Sequence, residues 1–94
     1  MENFVNHKRY ALSWALSVVE RLQDAYPRAS EIVLDYLHIS SKKLAILLAI
    51  GNPYFAKIRT VIHAVEKSLK NPDLMETTTQ LCSRLTANFW EKDT

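Results

Sequence analysis

Leu37-His38-Ile39-Ser40-Ser41-Lys42-Lys43-Leu44-Ala45-Ile46-Leu47-Leu48-Ala49-Ile50-Gly51-Asn52-Pro53 reads as a short helix with a marked start and a marked stop. Ser40 is placed to cap it, its hydroxyl accepting a hydrogen bond from a backbone N–H one turn on. Gly51 suits the left-handed residue that ends a helix, and Asn52-Pro53 supplies a cap and a first-turn proline for the next. Lys42 and Lys43 fall in the first turn, where cations oppose the helix dipole. A negative partner would offset that local cost.

Working outward, His38-Ile39-Ser40 forms the turn after a helix predicted from Pro27 or Arg28 to Leu37, with Ser30 as a capping side chain and Glu31 as a carboxylate near its positive end, and Ile32, Val33, Tyr36 and Leu37 facing inward. A first helix is predicted from about His7 to Ala25, because Leu12, Leu16, Val19 and Leu22, with Ala15 beside them, repeat at three and four. Tyr26-Pro27 ends it, since proline pushes the preceding residue out of the helical region. Trp14 and Val18 widen its apolar stripe, which implies either packing on two sides or a dimer surface. Downstream, Phe55, Ile58, Ile62, Val65 and Leu69 define a fourth amphipathic helix that carries Lys57, Arg59, Glu66, Lys67 and Lys70 on its other faces. Asn71-Pro72 opens a fifth, to about Trp90, with the stripe Leu74, Thr78, Leu81, Leu85 and Phe89.

One glycine and three prolines are too few for a many-stranded sheet, so the expected fold is all-α: a compact five-helix single domain over residues 1–94. The formal charge of +2 is unevenly spread. Residues 28–70 carry seven cations against three anions, whereas residues 71–94 carry two against four. A basic centre is what phosphate contact requires, although scattered solvated cations give the same tally.

Catalysis has little to work with. His7, His38 and His63 stand at no helical spacing from one another or from a cysteine, and the one glycine is a helix terminator rather than part of a phosphate loop. Asp35 and His38 read as a pair across a helix end. No enzyme, metal or cofactor is expected. Cys82 reads as a small buried hydrophobe, and a single cysteine suits a reducing, cytoplasmic setting. No apolar run approaches the roughly 20 residues that span a bilayer, and the first residues do not resemble a signal peptide.

Leu37-His38-Ile39-Ser40 resembles the Leu-Gly-Ile-Ser turn of the phage-repressor-like helix-turn-helix family, with Leu44 at its buried aliphatic position. Gly51-Asn52-Pro53-Tyr54-Phe55 and Val61-Ile62-His63-Ala64-Val65-Glu66-Lys67-Ser68-Leu69 are similar to a segment and helix of addiction-module antidote proteins in that family. The resemblance implies a five-helix domain with a helix-turn-helix centre. It implies a dimeric transcriptional regulator or antitoxin-type repressor that binds double-stranded DNA with its third helix in the major groove. On that reading Ser41, Lys42 and Lys43 meet base edges and phosphates, Ala45 and Ile46 lie on the outward side, and Ser40 caps the helix and touches a phosphate. Lys57 and Arg59 would contact the DNA backbone, and Trp14, Leu81, Leu85, Phe89 and Trp90 would form a homodimer interface.

Two departures open a second reading. His38 stands where the family has glycine, and Ala45, Ile46, Ala49 and Ile50 stand where it has polar readers, so base discrimination would be weak. A helix apolar all round is more often buried. The alternative is a helical adaptor, or a phage-type inhibitor of a host protein complex, that binds protein rather than DNA through aromatic and aliphatic anchors among Trp14, Ile46, Ile50, Tyr54 and Trp90.

Overall fold

The computed structural model describes the backbone of residues 2–71, 80 and 82–84, and side chains from residue 11 onward within them. Four helices follow in order: α1 (Glu2–Ala25), α2 (Pro27–Leu37), α3 (Ser41–Ala49) and α4 (Tyr54–Lys70). Among the described residues there is no strand, and helical backbone returns at Gln80 and 82–84, inside the span expected for the fifth helix. The chain is all-α. No helix among the described residues is long and apolar enough to cross a membrane.

The boundaries have local causes. Tyr26, at φ −135° and ψ 66°, is expelled from the helical region by Pro27, which then starts α2 without needing an N–H partner. At the other end of α2, His38 takes the left-handed conformation (φ 57°, ψ 40°). Its N–H donates to the Asp35 carbonyl, and the Ile39 N–H donates to the Leu34 carbonyl, each at 3.1 Å. This pair of bonds is a Schellman stop. The same pattern closes α3: Gly51 has φ 73°, its N–H donates to Leu48, and the Asn52 N–H donates to Leu47. Asn52 then caps α4, its Oδ1 accepting from the Tyr54 N–H at 2.9 Å.

Packing pairs the helices out of sequence order. α3 lies chiefly on α1 and α2 chiefly on α4, α1 also meets α2, and α3 touches α4 more lightly. Gln23 sits against Ser41, and Leu12 against Ala49 and Ile50, so α1 and α3 run antiparallel. One core joins the described elements, with Val19, Val33, Leu44, Ile58, Ile62, Val65 and Cys82 almost wholly buried. Each such aliphatic contributes about 1.5–3 kcal/mol relative to an exposed position.

Several expectations change. α1 begins at Glu2 rather than His7, and Leu16 is exposed while Ala15 and Val19 face the core. Both patterns satisfy helical spacing; the partners packed on the Ala15 and Val19 side decide it. α2 is turned likewise, burying Ala29, Ser30, Val33, Leu34 and Leu37 and leaving Tyr36 exposed. Ser30 is therefore no cap. Pro27 starts the helix a turn earlier and carries Ser30 into the core, where its hydroxyl has no hydrogen-bond partner.

Candidate functional site

The exposed side of α3 is the surface on which the sequence-predicted residues converge. Leu44, Ala45 and Leu47 are buried, which overturns the outward placement of Ala45: at about 100° per residue it falls on the α1-facing half with Leu44 and Leu48. Lys42, Lys43, Ile46 and Ile50 make up the opposite, solvent-facing arc. Ile46 is 36% exposed and Ile50 68% exposed, so α3 is not a fully buried core helix.

Ser40 caps α3 as expected, its hydroxyl oxygen accepting from the Lys43 N–H at 3.0 Å. Ser41 is half-buried, and its hydroxyl oxygen accepts from Nε2 of Gln23 at 2.7 Å, which turns it toward α1. Lys42 and Lys43 form no ion pair among the described residues. Two exposed cations thus stand at the positive end of the helix, ahead of two exposed isoleucines.

Beside those isoleucines lies an open groove between α1 and α3, lined by Ala11, Leu12, Ile46, Ala49 and Ile50, with a cavity volume of about 400 Å³. All of the described residues that line it are apolar. The small side chains of Ala11 and Ala49 leave the depth, and Ile46 and Ile50, one turn apart, form one wall. Trp14, also predicted as an interface residue, is half exposed on α1.

Lys57 and Arg59 do not join as a pair. Two residues apart on α4, they project about 200° from each other. Lys57 Nζ lies 5.4 Å from the Tyr54 ring centroid and Arg59 Cζ lies 5.9 Å from that of Phe55, so each folds back over its own helix. Leu81, Leu85, Phe89 and Trp90, the remaining expected interface residues, lie outside the described residues. Among the described residues no group of three or more metal-ligating side chains comes together. His38 meets Asp35 through its backbone, and His63 lies against the Tyr26 ring, with centroids 4.8 Å apart.

Ala11, Leu12 and Gln23 were not read from the sequence as part of this surface. Gln23 did leave a signal: it continues the apolar line of α1 one turn beyond Val19, where a polar side chain calls for a partner. No family model matches the chain, and no curated protein and no solved structure matches it either.

Proposed function

We propose that this protein is a small helical binding module that acts by docking another protein on its α1–α3 face. The observation that carries this reading is the open apolar groove beside Ile46 and Ile50. Exposed isoleucines at the mouth of such a groove gain about 25 cal/mol per Å² of apolar area when a partner covers them. Trp14 on the same helix as Ala11 and Leu12 adds an aromatic anchor of the kind that dominates interfaces. Its compartment is taken to be the cytoplasm, in keeping with a single buried cysteine. A photo-crosslinking residue at position 50, used in lysate of the source cells, tests the reading. One partner should be captured in near-stoichiometric amount and lost when Ile46→Asp is added to a protein that still folds. Capture unaffected by Ile46→Asp would refute it.

A second reading, DNA binding by a helix-turn-helix regulator, is favoured by Lys42 and Lys43, exposed and without an ion pair among the described residues at the start of α3 behind the left-handed His38 turn. The rest of that face offers no side chain able to make the bidentate contacts that read bases. α2 and α3 also take their main packing from α4 and α1 rather than from each other. Binding through the lysines would fall steeply with salt, as condensed counterions are released. Retention on duplex DNA at low salt that Lys42→Ala with Lys43→Ala leaves unchanged would remove this reading.

A further inference from the structure

We infer that the groove's occupant is an amphipathic helix with acidic residues about two turns from its apolar anchors. The inference rests on the protein-docking reading and adds the chemistry of the partner.

The shape of the site comes first. Two antiparallel helices leave a seam, and a third helix lying in it presents residues at three- and four-residue spacing to a matching row. Ile46 and Ile50 supply such a row, and Ala11 and Ala49 leave room for one or two large aliphatic side chains between the walls. Charge gives the other half. α3 contains no acidic residue, and Lys42 and Lys43 stand where the helix dipole adds to their positive potential. Glu20 and Asp24, exposed toward the facing end of α1, form no ion pair with either lysine. Lys42 lies eight residues before Ile50, about 12 Å along the helix. A partner whose anchors enter the groove therefore brings residues two turns away over the lysines, where acids are favoured and cations repelled.

Other occupants fit less well. A second copy meeting this face about a two-fold axis at Ile46, the centre of the exposed arc, would lay Lys42 against Ile50 and desolvate the ammonium without a counter-charge. A nucleic acid would offer the isoleucine pair little apolar surface beyond an occasional thymine methyl.

The test uses the full chain. A displayed library of helical peptides of about 18 residues, randomised at all solvent-facing positions, is selected on the protein, and the winners are measured by fluorescence anisotropy at low and physiological salt. Enriched peptides should pair aliphatic anchors with Glu or Asp seven or eight residues away. Changing those acids to Gln should weaken binding about five- to tenfold at low salt, and to Lys should abolish it. Ile50→Asp should lose the peptides, while Lys42→Glu with Lys43→Glu should shift selection to basic ones; both positions are exposed, so circular dichroism should be unchanged. Enrichment of neutral peptides that still need Ile50 would overturn the acidic inference and leave the docking reading standing. No enrichment, or peptides indifferent to Ile50→Asp, overturns both. A dimer in sedimentation that Ile50→Asp dissociates, or duplex DNA that displaces the peptides, overturns the inference in favour of that occupant.

Discussion

Nε2 of Gln23 donates a 2.7 Å hydrogen bond to the hydroxyl oxygen of Ser41, eighteen positions away in sequence, and so fastens the last turn of α1 to the first residue of α3. The contact belongs to the same antiparallel register that brings Leu12 beside Ala49 and Ile50. It is partly buried, so each partner removed alone leaves the other short of a bond. Gln23→Ala and Ser41→Ala should each destabilise the fold by about 0.5–1.5 kcal/mol in chemical denaturation. The double variant should cost less than their sum, because the two changes delete one shared interaction. Strict additivity would show that the bond contributes nothing.

His38 is the only described residue other than glycine with a positive φ, and it holds the turn between α2 and α3. Left-handed backbone costs an L-residue roughly 1–2 kcal/mol, which glycine avoids at the expense of a more flexible unfolded chain. His38→Gly should therefore be neutral or raise stability by up to about 1 kcal/mol. His38→Val, β-branched at a positive φ, should lower it by about 1–2 kcal/mol. Thermal melts of the two variants check the ordering.

Ser30 and Ser68 are both buried on facing helices, yet only Ser68 has its hydroxyl bonded, donating to the Ala64 carbonyl at 3.1 Å. A buried hydroxyl without a partner is a desolvated group with nothing in return. Ser30→Ala should stabilise the protein by up to about 1 kcal/mol, and Ser68→Ala should be neutral or mildly destabilising. A large loss on Ser30→Ala would mean that the hydroxyl is satisfied in solution, for instance by a buried water.

Ile58 and Ile50 separate core from surface within one residue type. Ile58 is fully buried at the centre of the α4 face, and its truncation to Ala should cost about 2–5 kcal/mol. Ile50, 68% exposed, should tolerate the same change within about 0.5 kcal/mol. Urea midpoints at constant slope give both values.

Burial pushes the Cys82 thiol up from its ordinary range. The unfolded chain then ionises first, so above about pH 8.5 it binds fewer protons than the native state and stability falls as pH rises. Below that pH the thiol is protonated in both states and contributes no slope. Comparing denaturation midpoints of the wild type and Cys82→Ala from pH 7 to 10 isolates the effect from other titrations. The wild type should lose more stability than the variant over that range.

The helix boundaries were legible in the residues, because their causes are local. Proline at Pro27 and Pro53, the caps Ser40 and Asn52, and the left-handed Gly51 act through bonds and sterics within a few residues, and the four described helices end close to where these residues place them. The α4 face was equally plain, since Phe55, Ile58, Ile62 and Val65 admit one inward direction. Broadly apolar helices behaved differently. In α1, α2 and α3 more than one face satisfies helical periodicity, and which of them is buried depends on a neighbour distant in sequence. Packing of α1 on α3 buried Ala45 and left Ile46 and Ile50 in solvent; core-facing α2 buried Ser30 and turned Tyr36 out. Thus local sterics and periodicity determined that this is a helical chain, and where its helices stop. Only the tertiary structure decided that α3 presents lysines and isoleucines beside an apolar groove, because exposure belongs to the packed assembly of helices and not to any one of them.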